Sequence, residues 1–244
     1  MTYPFDLSLL EIVFISILLF STAAVQGILG FGFAVIASPI LVLIEPLLVP
    51  RILSLLGLPM AFRIYQREKK EVDWKPFKFL FLGRIFGGPL GLILLINLSE
   101  KLLSISVGAI VLFAGLASFF GWTLNINNKT SWLAGTLSGI FAMTAGVGGP
   151  PIAILYRGKS ASEFRPSLNG VFTFGITITL LLLLISGEIY RDHIILFLYF
   201  SIPVAIGYKL SSYLFFKVND KVISKGVTYF SIFSGLIVIF RNII

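Results

Sequence analysis

Two stretches of this chain carry residue types that could bind an anion without a charged side chain. The first reads Gln26-Gly27-Ile28-Leu29-Gly30-Phe31-Gly32-Phe33, with Ser38-Pro39 shortly after. The second reads Thr144-Ala145-Gly146-Val147-Gly148-Gly149-Pro150-Pro151. Glycine permits positive φ and close approach of another backbone. Proline lacks an N–H, stops an incoming helix and suits the first turn of the next. Each stretch therefore reads as the end of one half-helix and the start of another. A new helix begins with open N–H groups and the positive end of its dipole, roughly +0.5 elementary charge, so two of them offer about one positive charge. The alternative is packing: small residues in apolar helices also let neighbouring helices approach closely.

Few other side chains could join such a site. Arg84 lies about seven residues into an apolar run, roughly 10 Å from its nearer end, and precedes Gly87-Gly88-Pro89 and Gly91. It either snorkels to the lipid headgroups or lines an anion vestibule. Lys209 has a similar depth in a later run without those glycines. Gln26 and Asn169 are neutral and suit either interhelical hydrogen bonds or ligand contacts. The candidate substrate-binding set is Gln26, Gly27, Gly30, Gly32, Arg84, Thr144, Gly146, Gly148, Gly149 and Asn169. His193, the single histidine, stands beside Asp192 and reads as a solvated loop residue, too isolated for a metal site. Glu11 and Glu45 fall near run ends and Glu188 in a loop, so no mid-run carboxylate offers a proton relay. There is no GxxxxGK[ST] phosphate loop, no HExxH and no cysteine. Enzyme chemistry, a metal and a cofactor are therefore not expected.

The elements that must position these residues are dictated by composition. Of 244 residues, 57% are hydrophobic and only 12% charged, and the mean hydropathy is +0.99. Soluble domains carry about 25% charged residues, so this chain cannot cover a water-facing surface. A soluble enzyme, a disordered chain and a nucleic-acid-binding module are excluded, despite a net charge of +8. The sequence predicts an all-α polytopic membrane protein in a bilayer. Its ten apolar segments run roughly 7–26, 32–45, 47–65, 77–97 and 102–120, then 132–145, 150–157, 166–186, 193–216 and 222–240. Segments 32–45, 132–145 and 150–157 are too short to cross upright and read as half-helices or re-entrant hairpins. Met1 to Leu7 has no Lys or Arg, so the first run reads as a retained helix rather than a cleaved signal. Basic residues crowd the loops at 63–78, 157–165 and 217–225, the last through Lys217, Lys221 and Lys225, which predicts that these loops and both chain ends face opposite sides, the loops inward.

A shift of 116 residues puts Gly30 on Gly146, Gly32 on Gly148, Pro50 on Pro166 and Gly91 on Gly207. Corresponding loops then fall on opposite sides. The expected organisation is two inverted repeats of about five segments, 1–121 and 132–244, joined by a cytoplasmic linker at 122–131. Inverted repeats are common in secondary transporters and would bring both glycine breaks together near the midplane.

At the glycine motifs, Gly27-Ile28-Leu29-Gly30-Phe31-Gly32-Phe33 with Pro39, and Gly139 followed by Ala145-Gly146-Val147-Gly148-Gly149-Pro150-Pro151, the chain resembles the sulfite exporter TauE/SafE family of membrane transporters. The tandem organisation covers nearly the whole chain. The resemblance implies transport of a small sulfur-containing or organic anion, such as sulfite or a sulfonate, across the cytoplasmic membrane. A channel with the same glycine loops, and a structural or assembly subunit, are the competing readings.

Overall fold

The computed structural model describes residues 4–214 and 220–243, and all regular structure in them is helical. A 3-10 turn at Pro4–Asp6 precedes ten helices: α1 Leu9–Leu29, α2 Phe33–Ile44, α3 Arg51–Glu68, α4 Phe77–Asn97, α5 Glu100–Phe119, α6 Asn128–Ala145, α7 Gly149–Tyr156, α8 Ala161–Ile185, α9 Arg191–Leu214 and α10 Asp220–Ile243. Among the described residues seven of these, α1, α3, α4, α5, α8, α9 and α10, are long and apolar enough to cross a bilayer. The protein is a polytopic α-helical membrane protein. Lys217, like Met1 to Tyr3, lies outside the described residues.

Three helix starts differ from the hydropathy pattern. Asn127 caps α6, accepting from Thr130 N, so α6 starts at Asn128 and runs 18 residues, beginning four residues before the apolar run 132–145, though it is not among the seven helices apolar enough to cross. Ser160 caps α8 by accepting from Glu163 N, and Pro166 lies inside the helix rather than opening it. α3 starts at Arg51 because Pro46–Leu48 forms a separate 3-10 turn. The two elements that remain short are α2 and α7, of 12 and 8 residues.

Helices pair across the sequence: α1 with α9, α4 with α6, α3 with α8 and α5 with α10. The α4–α6 seam is meshed backbone to backbone. Gly83, Gly87 and Gly91 of α4 face Trp132, Thr136 and Ile140, while Gly135 and Gly139 of α6 face Leu80 and Gly88; a methyl group at any of these would collide with main chain. Gly207 of α9 faces the Phe20 carbonyl of α1 in the same manner. With no hydrophobic driving force between helices in lipid, such close contact supplies the attraction.

Polar contacts gather the connections at two ends. At one, Asp73 N donates to Ser167 Oγ (2.8 Å), Lys159 pairs with Asp73 (3.3 Å), Arg165 with Glu68 (3.3 Å), and Arg157 donates to the Ala117 carbonyl (3.0 Å). At the other, Phe5 N donates to Asp192 (3.3 Å), and Arg51 pairs with Glu188. The first end holds most of the basic loops and corresponds to the end that the positive-inside rule expects to face inward; it is called the inner end below. His193 is not a solvated loop residue. It is fully buried at the outer end (0% exposed), because the corner between α2 and α3 folds over it.

Candidate functional site

Both glycine stretches interrupt the chain where the sequence places the breaks. α1 runs through Gly27 and ends at Gly30, whose φ of +80° makes it a left-handed C-cap; Gly32, with φ +113°, then opens α2. α6 ends at Gly146, with φ +69°, and α7 opens at Gly148, whose φ is −80°. Gly148 is thus in ordinary helical territory, and its requirement for glycine is one of space. A Cβ there would meet Ala142 Cβ and Ser138 O at 3.0 Å and Arg84 Nη1 at 3.1 Å.

The first break is held by side chains. Gln26 Oε1 accepts from Phe33 N (3.2 Å), which occupies the first donor of α2, and Gln26 Nε2 donates to the Gly30 carbonyl (3.2 Å). Asn169 Nδ2 donates to the same carbonyl (2.8 Å) and to Arg165 O (2.8 Å). Arg165 reaches from α8 to the Gly27 and Ile28 carbonyls (2.8 and 3.2 Å), satisfying acceptors that the end of α1 leaves open. Gly30 therefore lies against the inner end.

The second break is built differently. Gly146 lies against Leu53 and Pro50 of the outer corner. α7 begins Gly149-Pro150-Pro151, and the two prolines remove N–H groups from its first turn. A guanidinium replaces them. Arg84 is 2% exposed, its Nη1 donates to Ser138 Oγ (2.9 Å), and Ser138 Oγ donates to the Gly148 carbonyl (2.5 Å). Arg84 Nε and Nη2 are buried without a hydrogen-bond partner, and no carboxylate among the described residues pairs with them. Gly175 of α8 leaves the room the guanidinium fills. Arg84 does not snorkel. Lys209, by contrast, is exposed on the outside of the bundle, as a snorkelling residue is.

A cavity of about 410 Å³ joins these features. Gln26, Gly32, Arg84, Gly146, Gly148 and Gly149 line it, together with Phe31, Phe33, Met60, Val147, Phe172 and Ile176. It extends to the exposed turn Arg157-Gly158-Lys159 at the inner end. Gly27, Gly30, Thr144 and Asn169 do not line it. Gly27 packs on Ser211 of α9, Thr144 donates to Ile140 O (2.9 Å), and Asn169 and Gly30 hold the first break together. The breaks approach the cavity from opposite ends. Ser138, the bridge between Arg84 and the second break, carries no sequence signal beyond its position before Gly139.

Among the described residues, an all-helical bundle with seven membrane-length helices, two interrupted helices and a buried cation facing an internal cavity defines a multi-pass membrane protein with a built internal polar site. The chain belongs to the sulfite exporter TauE/SafE family, whose model matches residues 14–238. Comparison with curated proteins and with solved structures gave no significant match.

Proposed function

We propose that this protein carries a singly charged organic anion, such as a short alkyl sulfonate, with Arg84 as its principal binding group. The observation that carries the proposal is the guanidinium itself: buried, facing the cavity, with two nitrogens lacking acceptors. A buried polar group is nearly always hydrogen-bonded, and an unpaired buried charge costs several kcal/mol. An anionic head group relieves both. At the buried end of the cavity Arg84 is the cation present, and one cation balances one negative charge there, so a divalent anion would carry its second charge away from the exposed Arg157 and Lys159. Phe31, Phe33, Val147 and Phe172 offer an apolar wall to the remainder of the ligand, which favours a sulfonate over sulfite.

Carrier rather than channel is supported by the outer end, where Leu48, Val49 and Ile52 are wholly buried while the cavity extends inward. The inverted repeat belongs to the same proposal. Exchanging the two sets of five helices turns the α1–α9 pair into α6–α4 and leaves α3–α8 and α5–α10 as they are, and this symmetry of pairing supports the reading of two related halves.

The test is counterflow of radiolabelled ethanesulfonate in proteoliposomes, with sulfite and sulfate as competitors. Saturable flux, with ethanesulfonate preferred over sulfate, is expected. Losing a charged hydrogen-bonding group costs about 1.5–3 kcal/mol, so Arg84→Gln should weaken half-saturation roughly 10- to 100-fold, with Arg84→Lys in between. Equal transport by folded Arg84→Gln overturns the proposal; single-channel currents would replace the carrier by a pore.

A further inference from the structure

The outer end holds a second buried polar cluster that anion binding does not use. Arg51 pairs with Glu188 and also donates through Nε to the Glu188 carbonyl (2.8 Å) and through Nη1 to the Leu47 carbonyl (3.2 Å). His193 lies beside this pair, its ring centroid 4.7 Å from Phe5 and 5.3 Å from Tyr190. Its Nε2 is 3.0 Å from the same Leu47 carbonyl, and Tyr190 N donates to its Nδ1 at 3.0 Å. These partners fix one neutral tautomer, with hydrogen on Nε2 and a lone pair on Nδ1. The cluster ties the corner between α2 and α3 to the corner between α8 and α9. Ser54, one turn along α3 from Arg51, already lines the central cavity.

We infer that His193 is a proton-binding site and that its protonation opens this outer latch. A proton arriving from the outer solution takes the Nδ1 lone pair, the acceptor of the Tyr190 N–H. Two donors then face each other at one point, and the 186–190 corner must move. Glu188 moves with it, away from Arg51. Burial first, and then Arg51 on α3, oppose charge on the ring while the latch is shut. Glu188 and Asp192 are the carboxylates that act on the ring, and they supply partners to the imidazolium once the corner has shifted. Glu45, on the α2–α3 corner, is engaged with Leu47 N (2.9 Å), and the Pro4–Asp6 turn contributes Asp6 next to Phe5. On return to neutral pH the proton goes back to water and the Tyr190 bond re-forms.

Because the chain has no cysteine, the test is labelling of Ser54→Cys in intact cells by an impermeant thiol reagent. Rates are normalised to Lys101→Cys, exposed in the first turn of α5, which cancels the loss of thiolate in acid. Lowering the outer pH from about 7.5 to about 4.5, well below the ordinary histidine range because the ring is buried, should raise the normalised rate at least about tenfold. Glu188→Gln should label fast at both pH values, and His193→Gln should lose the response to acid. An unchanged normalised rate in the parent overturns the inference, as does an acid response that survives in folded His193→Gln or slow labelling in folded Glu188→Gln. If His193→Gln fails to fold, the parent ratio decides. The measurement involves no anion, so it stands or falls apart from the Arg84 site.

Discussion

Gly175 and Arg84 are in direct contact: α8 has no side chain where the α4 guanidinium lies across it. A methyl group at Gly175 would overlap Nε and force the head group away from Ser138 and Gly148. Gly175→Ala should therefore weaken half-saturation for ethanesulfonate roughly tenfold, comparable with losing one charge-assisted hydrogen bond. Gly226→Ala is the control, because an added methyl there meets nothing within 4 Å. It should leave transport unchanged, and counterflow kinetics on both variants decide the matter.

The two breaks should respond differently to the same substitution. Gly32 has φ +113°, so Gly32→Ala forces a left-handed alanine at a cost of about 1–2 kcal/mol. Thermal unfolding in detergent should show the loss. Gly148 has a helical φ, and Gly148→Ala instead crowds Ser138 and Arg84. Its stability should be nearly that of the parent while its anion affinity falls. Equal stability losses at the two positions would contradict this division.

Asn169 is expected to be structural. Asn169→Ala removes a donor from the Gly30 carbonyl, which keeps Gln26, and from Arg165 O, and each hydrogen bond lost costs about 0.5–1.5 kcal/mol. Gln26→Ala frees Phe33 N as well as weakening the hold on Gly30. Both variants should melt earlier, and Asn169→Ala, which does not touch the cavity, should keep its half-saturation constant. A lower affinity in folded Asn169→Ala would make it a ligand contact instead.

Orientation follows from charge. Glu71→Cys, in the connection beside Arg165 and Asp73, should be protected from an impermeant reagent in intact cells, while Asn242→Cys should be labelled. The reverse pattern would invert the protein in the membrane.

What the sequence conveyed and what it withheld divide along local and non-local lines. The ten segments are local in origin, since apolar runs and their polar ends lie within one stretch of chain. The glycine breaks are local too: Gly30 and Gly146 end helices because left-handed geometry suits glycine. α1 nevertheless continues through Gly27, because Ser211 of a helix far along the chain packs there. Hydropathy missed the first turn of α6, where Asn127 and Thr130 make a capping box out of residues that read as a loop. His193 looked solvated because Leu47, which receives its Nε2–H, is 146 residues away. Arg84 was visible as a mid-span cation, but its burial depends on Ser138 and Gly175 from two other helices.

The α1–α9 pairing has a consequence for how the protein is made. α1 emerges ahead of the other nine described helices, yet its partner begins at Arg191, about 160 residues later. At about 5–20 residues per second, synthesis of the intervening chain takes on the order of 8–30 s. Until α8 is made, for most of that wait, Gln26 and the uncapped carbonyls of Gly27 and Ile28 have neither Asn169 nor Arg165 to meet them. The nascent α1 is thus polar at one end in a lipid setting and suited to being held by an insertion factor until α8 and α9 arrive. α4 has no such delay, since α6 follows it within about 30 residues. Assembly then runs from the middle of these helices outward, and α1, though made early, is among the last to settle.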